Sequence, residues 1–249
     1  MSIKSEICVA SIEGAIAAQD AGADRIELNA ALAMGGLTPS IGLVQSVLIE
    51  LDIPVVAMLR PRESGFCYSD AEIVVMRRDL DSLLDVGVAG IAFGLLREDR
   101  SIDVARCQKL LSQFGSQSPV FHRAFDVVSD PVNAAQELTG LGVQRIMTSG
   151  QAAKAIDGTE LIRELVELDS PIEVLVAGGV RSHNVAEIIR KTGCNQVHCA
   201  QLAERTDASM VTDISFSGQR ENREQFYSQT QGDSVQEFVA AIRTISETP

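Results

Sequence analysis

The chain has 249 residues, and 45% of them are hydrophobic, which is enough to form a sizeable core in one α/β domain. Its 21 basic residues stand against 34 acidic ones, so the formal charge is −13 and a nucleic-acid partner is not expected, because an acidic surface repels phosphate groups. No stretch approaches the roughly 18 apolar residues that a membrane helix needs. The first residues, interrupted by Glu6 and Glu13, lack the pattern of a signal peptide. We therefore expect a cytoplasmic protein with no membrane partner.

Short apolar runs typical of buried strands recur along the chain. In chain order they are SEICVAS, DRIELNA, IPVVAMLRP, GIAFGLL, PVFHRAFDV, QRIMTSG, IEVLVAGGV and QVHCA. Amphipathic stretches with cap-like residues in front and glycine behind separate them and predict helices. Parallel strands need such crossovers, so eight repeats in this length favour a TIM-type (β/α)8 barrel. An open doubly wound sheet is the alternative, weakened because no G-x-G-x-x-G follows the first strand.

We expect a single domain over residues 1–249. An irregular polar segment is predicted at about 204–234 and a last helix at about 235–246. The irregular segment is interpreted either as a lid over the C-terminal face of the barrel or as a disordered excursion.

The cysteines fit reduced thiols better than disulfides or a zinc site. There are five, an odd number, and no pair has C-x-x-C spacing. No nucleophile elbow, Walker loop or H-E-x-x-H pattern is present, and no organic cofactor is implied.

Ionisable residues concentrate where the strands of a barrel point inward or end. The period of two turns Glu6 and Cys8 inward on the first strand, and Arg25, Glu27 and Asn29 inward on the second. Further polar residues follow at the rim or on later strands: Arg60, Arg62, His122, Arg123, Asp126, Thr148, Ser149 and His198. Because burying so many charges stabilises a fold weakly, a ligand site is favoured over a structural ion-pair network.

Within this site we predict two kinds of role. Glu27, His122 and Asp126 are the candidates for proton transfer in catalysis. The predicted ligand-binding residues are Glu6, Arg60, Arg62, Arg123, Ser149, Gly178, Gly179 and His198. Gly178 and Gly179 precede a predicted helix start, where a small anion such as phosphate is stabilised, although they could simply make a tight turn. His122 and Arg123 are neighbours, so both can face the cavity only if a bulge or a strand end separates them.

Several segments together resemble the CutC family of copper homeostasis proteins. They are GADRIELNAA, GGLTPS, RPRESGFCYSD, FHRAFD, TSGQ, AGGVR and VHCA, in the family's order over residues 22 to about 201. The resemblance implies a cytosolic TIM-type barrel, a homo-oligomer (dimer or tetramer) and copper handling. It also implies two cysteine ligands for Cu(I), one at Cys8 and one at the position that Asn29 occupies here. An amide in place of a thiolate weakens a Cu(I) site, unless Met58 or Cys67 substitutes.

Three functions therefore stand open. The first is copper homeostasis with Cu(I) bound at Cys8. The second is a metal-independent enzyme acting on a small anionic or phosphorylated substrate at the C-terminal barrel mouth. The third is a non-catalytic sensor of a small molecule.

Overall fold

The computed structural model describes residues 3–210 and 225–246 of the chain. Eight parallel strands form a closed barrel in chain order, and β1 pairs with β8 as well as with β2, so the prediction of a TIM-type (β/α)8 barrel is confirmed. The strands are β1 Lys4–Val9, β2 Arg25–Leu28, β3 Val55–Met58, β4 Gly90–Phe93, β5 Ser118–Phe121, β6 Arg145–Thr148, β7 Glu173–Val176 and β8 Gln196–Cys199.

Helices follow the strands and cover the barrel. They are α1 Ile12–Asp20, α2 Ile41–Glu50, α3 Asp70–Asp85, α4 Val104–Leu111, α5 Pro131–Gly140, α6 Thr159–Val166, α7 Val185–Thr192 and α8 Gly232–Ser246. The start of α3 is fixed by a capping box, in which Ser69 and Glu72 each accept a hydrogen bond from the other's backbone N–H. Gly193 ends α7 with a φ of 71°, a conformation that glycine adopts without strain.

The strand predicted at PVFHRAFDV is shorter than its apolar residues suggested. β5 ends at Phe121, and Arg123–Val127 form a 3-10 helix. The backbone leaves the sheet because the Nδ1 atom of His122 accepts a hydrogen bond from the N–H of Ala124 at 3.1 Å and so caps the turn. His122 and Arg123 therefore both lie beyond the end of β5, where the alternation of a strand no longer applies and both residues can reach the rim.

The segment predicted to be irregular contains two strands. Leu202–Thr206 (β9) and Phe226–Thr230 (β10) pair antiparallel, and α8 begins at Gly232, three residues before the predicted start. The apolar pattern missed this ribbon because most of its side chains are exposed and polar. The part of the predicted lid or disordered excursion at 211–224 lies outside the described residues, and the assignment of the whole chain to one domain stays a prediction.

The barrel interior is divided into an apolar and a charged side. On β3 to β7 and directly after β7 the inward residues, apart from the ion pair of Arg145 and Glu173, are apolar: Val56, Met58, Ala92, Val120, Met147, Leu175 and Ala177. On β1, β2 and β8 they are buried polar residues: Glu6, Arg25, Glu27, Gln196 and His198. The outward residues of the strands, such as Ile7, Val9, Ile26 and Leu28, are fully buried in the main hydrophobic core, as the period of two predicts.

Among the described residues, no helix combines the length and the apolar character required to cross a membrane.

Candidate functional site

A cavity of about 110 Å³ lies at the C-terminal end of the barrel. The strand ends and the loops that follow them supply its lining: Cys8, Glu27, Asn29, Gly35, Met58, Arg60, Phe66, His122, Arg123, Met147 and His198. An engineered cavity of about 150 Å³ in another protein binds benzene, so a space of this size admits a small ligand. Its position is the one where barrel enzymes carry their sites.

Below the cavity, Glu6 holds an ion-pair network together. Its carboxylate accepts hydrogen bonds from the Nε of Arg25 and, at 2.8 Å, from the Nδ1 of His198, and Arg25 also reaches the Gln196 Oε1 atom at 2.7 Å. Burial alone would raise the pKa of Glu6, but Arg25 and His198 outweigh that effect and hold the pKa at about 2. Glu6 does not line the cavity, and its oxygens accept hydrogen bonds from Arg25 and His198. Its predicted role as a ligand-binding residue therefore lacks geometric support and stays a prediction.

Three potential metal ligands meet at the charged side of the cavity. Ligand atoms of Cys8, Glu27 and His198 lie within 4.8 Å of one another, and all three residues are buried. The bond from His198 Nδ1 to Glu6 turns Nε2 toward Glu27, whose Oε2 atom is 4.0 Å away. Such a carboxylate partner on the far ring nitrogen is typical of metal-binding histidines.

The protonation of these groups is set by burial and by the neighbouring carboxylates. Burial raises the pKa of the Cys8 thiol well above its usual value, and Glu27 and Glu6 raise it further. Burial also raises the pKa of Glu27, an effect that His198 partly opposes. For His198 burial lowers the pKa, but Glu27 and Glu6 outweigh it and the pKa is raised. A cation entering here must therefore displace the Cys8 proton.

The donor set of this cluster fits a soft or borderline metal. Cys8 offers sulfur and His198 offers imidazole nitrogen, while the thioether residue Met58 lines the same cavity. The Oε1 atom of Glu27 is buried and has no hydrogen-bond partner among the described residues. Cys67 is exposed and does not line the cavity, so of the two possible substitutes for a second thiolate only Met58 lies at the site.

At the other side of the cavity, Arg60 is a buried cation without an acidic partner. Its terminal nitrogens donate to the backbone oxygens of Met34, Gly36 and Ser64 at 2.7–3.0 Å, and its guanidinium stacks on Phe66. Its Nε atom is buried with no partner, and no carboxylate of the described residues forms an ion pair with Arg60. A buried charge left uncompensated is costly, so this side of the cavity favours an anion.

His122 lies beside Arg60 against the same Phe66 ring, with ring centroids 5.1 Å apart. Burial lowers the pKa of His122 to about 3, and the charge of Arg60 contributes in the same direction. The imidazole is therefore neutral at neutral pH and cannot act there as a cationic acid.

The Arg123–Asp126 pair sits at the rim. Arg123 is half exposed and donates from Nε to Asp126 at 2.7 Å and from its NH2 group to Ser149 Oγ at 2.9 Å. Asp126 also accepts from Thr148 Oγ1 at 2.6 Å and from the N–H of Ser149 at 2.8 Å. Asp126 and Ser149 do not line the cavity, so their predicted catalytic and ligand-binding roles lack geometric support. Their hydrogen bonds instead hold the loop after β6.

Arg62 lies outside the cavity, two residues from Arg60. Its guanidinium pairs with Glu72, donates to three backbone oxygens of its own loop and stacks on Tyr68. The predicted role of Arg62 in ligand binding therefore lacks geometric support and stays a prediction, because its guanidinium hydrogen bonds shape the loop after β3.

The two glycines after β7 bring neighbouring loops together. A side chain on Gly178, whose φ is 97°, would approach the Cβ of Ser149 to 2.8 Å, and one on Gly179 would press on Lys154. Neither glycine lines the cavity, so the geometry favours the tight-turn alternative over an anion site at this loop.

Some residues that line the cavity were not predicted from the sequence. Met147 follows the inward Arg145 by two residues on β6, and the strand period could have identified it. Phe66 lies on an irregular loop, where no periodic pattern marks it.

The chain matches the model of the CutC family over residues 3–203. It is 45% identical over 216 residues to a CutC family protein of Treponema denticola, covering 86% of this chain and 88% of that one. It is 41% identical over 201 residues to a human protein named copper homeostasis protein cutC homolog, covering 80% and 74%.

One solved structure shows the same family and another shows the same fold. The CutC crystal structure from Streptococcus agalactiae has a TM-score of 0.75 and 33% identity, over 79% of this chain and 97% of that one. The phosphoribosyl anthranilate isomerase of Thermotoga maritima has a TM-score of 0.60 over 97% of this chain and 99% of that one; at 13% identity it supports the fold alone.

Proposed function

The chain belongs to the CutC family, whose membership supports a role related to copper homeostasis, and from that premise we propose that it binds copper as Cu(I). The proposed ligands are Cys8 and His198, with Glu27 and Met58 completing the site. Copper is the cargo of this site.

The observation that carries the proposal is the meeting of Cys8, Glu27 and His198 within 4.8 Å in one buried cavity. Cu(I) prefers thiolate and thioether ligands and also accepts imidazole. Asn29 stands where the family resemblance implies a second cysteine. Met58 lines the same cavity, and its thioether is a soft ligand that can take the place of that thiolate. The bond of His198 to Glu6 fixes which nitrogen faces the metal.

Replacing Cys8 with serine should weaken Cu(I) binding by about tenfold or more, because the softest ligand is lost. The measurement is a titration of reduced, oxygen-free protein against a coloured Cu(I) chelator. Cys67→Ser is the matched control, since Cys67 is exposed and outside the cavity. Absence of stoichiometric copper on the unaltered protein, or full retention in Cys8→Ser, would contradict the proposal.

Replacing Asn29 with cysteine should have the opposite effect. The Asn29 Nδ2 atom lies 3.3 Å from the Cys8 sulfur, so a thiol there stands beside the first one. We expect Cu(I) affinity to rise by about tenfold or more, since two-thiolate sites suit Cu(I) best. The same titration measures it, and an unchanged affinity would mean that Cu(I) is not bound beside Cys8.

A second candidate is a metal-independent enzyme that acts on a small anionic substrate at the barrel mouth. The observation that favours it is the buried charge of Arg60, which has no acidic partner among the described residues. Here Arg60 holds the anion, while Glu27, across the cavity, moves a proton.

Its test is thermal unfolding with small anions. A ligand that binds only the folded state raises the melting temperature. Melting temperatures that millimolar phosphate, sulfate and small carboxylates all leave unchanged would count against this second candidate.

We also propose a cytoplasmic location and a homo-oligomer of two or four subunits. The supporting observations are the family relationship and the five cysteines, all of them free. Size-exclusion chromatography with light scattering tests the oligomer.

A further inference from the structure

Two hydrogen-bond donors of the cavity-lining residues make no hydrogen bond with the described residues. They are the Nε of Arg60 and the Nε2 of His122, and both atoms are buried. Both side chains also contact the ring of Phe66, and the charge of Arg60 helps to lower the pKa of His122, so the two groups are near each other. Buried polar atoms in native proteins almost always have a partner, so an unmatched pair of this kind marks a position for a ligand.

The tautomer of His122 is fixed by the backbone. An amide N–H can only donate, and the N–H of Ala124 points at the Nδ1 atom of His122 at 3.1 Å. Nδ1 must therefore be the unprotonated nitrogen, and in the neutral ring the proton is on Nε2. The burial that keeps the ring neutral thus also makes Nε2 a permanent donor. The Nδ1–Cε1 edge packs against Gly94, where even a Cβ atom would lie 2.4 Å from Cε1, so the ring has little freedom to turn.

The charge and size of the cavity narrow the class of ligand. Arg60 supplies one positive charge that the described residues do not neutralise, and His122 supplies none. The carboxylates of Glu6 and Glu27 lie on the opposite side and oppose a dianion such as phosphate. The space of about 110 Å³ suits a small ligand, and Phe66, Met58 and Met147 give it apolar walls.

We propose that the cavity binds a small monocarboxylate, whose oxygens accept hydrogen bonds from Arg60 Nε and His122 Nε2 and whose short carbon end packs against Phe66. The carboxylate neutralises the buried guanidinium and satisfies both donors. This inference shares one premise with the second candidate function, namely that the buried positive charge of Arg60 favours an anion. Its test requires neither copper nor turnover. The carboxylate proposal can therefore fail while the copper proposal stands, and the copper proposal can fail while the carboxylate proposal stands.

The test uses copper-free protein and acetate as the probe, with neutral acetamide as the control of equal shape. We expect acetate to raise the melting temperature in a saturable manner and acetamide to leave it unchanged. His122→Asn should weaken acetate binding by about tenfold, because the asparagine oxygen can still accept from the Ala124 N–H while the Nε2 donor is lost. His183→Asn is the matched control on an exposed histidine outside the cavity.

A second measurement does not depend on any variant. The chain has only three histidines, so ¹⁵N-histidine labelling resolves each ring in an NMR spectrum. The His122 ring should show the Nε2–H tautomer, and its Nε2 signal should shift as acetate is added. An Nδ1–H tautomer, equal binding of acetate and acetamide, tighter binding of phosphate, or unchanged acetate affinity in a folded His122→Asn variant would each overturn the proposal.

Discussion

Replacing Glu6 with glutamine is expected to destabilise the protein by about 3–5 kcal/mol, the usual cost of removing one partner of a buried ion pair. Arg25 is 7% exposed and depends on Glu6 for its only ion pair among the described residues. The single amide oxygen of glutamine can accept from Arg25 or from His198, so one of these two donors faces the amide NH2 instead of an acceptor. Glutamine keeps the size of the side chain but leaves the Arg25 charge buried and unpaired.

Urea unfolding at neutral pH measures this loss. The matched control is Glu187→Gln, which removes the half-exposed pair with Lys191 and should change the stability far less, because water screens that pair. Equal costs for the two variants would mean that the Glu6 network contributes no more than a surface pair.

The ion pair of Glu6 with Arg25 also predicts how the stability of the protein responds to acid. The pKa of Glu6 is about 2 in the folded protein, against a reference of 4.5. A carboxylate with a lowered folded pKa stabilises the protein above its unfolded pKa, and this contribution is lost as the pH falls from about 5 toward 2. Unfolding free energies of Glu6→Gln should therefore fall less steeply over that range than those of the unaltered protein.

Replacing Asp126 with asparagine is expected to cost about 2–3 kcal/mol, the size of a charge-assisted hydrogen bond with its buried partners. The Oδ2 atom of Asp126 accepts from Arg123 Nε at 2.7 Å and from Ser149 Oγ at 2.9 Å. An amide NH2 at that position faces two donors. The loop after β6 then keeps the bonds to Oδ1 but loses those to Oδ2, so its attachment to the 3-10 helix after β5 is weakened.

Thermal and urea unfolding measure this effect. Asp130→Asn is the matched control four residues along the chain. Asp130 caps α5 by accepting from the N–H of Asn133 at 3.0 Å, and asparagine caps helices as well as aspartate does. We expect a change within about 0.5 kcal/mol there. If the two variants lose the same stability, Asp126 does not hold the loop, and its predicted catalytic role becomes the better explanation for its position.

The sequence by itself determined the barrel and the inward side of its first strands. Eight alternations of strand and helix indicate a parallel sheet because each parallel connection needs a crossover, and the pairing of β1 with β8 confirms the closure. The period of two placed Glu6, Cys8, Glu27 and Asn29 inward, since successive side chains of a strand point to opposite faces. Both conclusions follow from patterns of neighbouring residues in the sequence, namely the alternation of strands with helices and the two-residue period of a strand.

Only the tertiary structure decided which of the inward and rim residues meet. His198 bonds to Glu6 across 192 positions of sequence, and no local pattern specifies that partner. Arg60 and Arg62 both follow β3, yet one lines the cavity while the other pairs with Glu72 on α3. Their difference arises from loop conformation, which has no fixed period. The role of each charge therefore depends on the partners that folding brings within hydrogen-bond distance, because a buried charge is stable only where such a partner or a ligand exists.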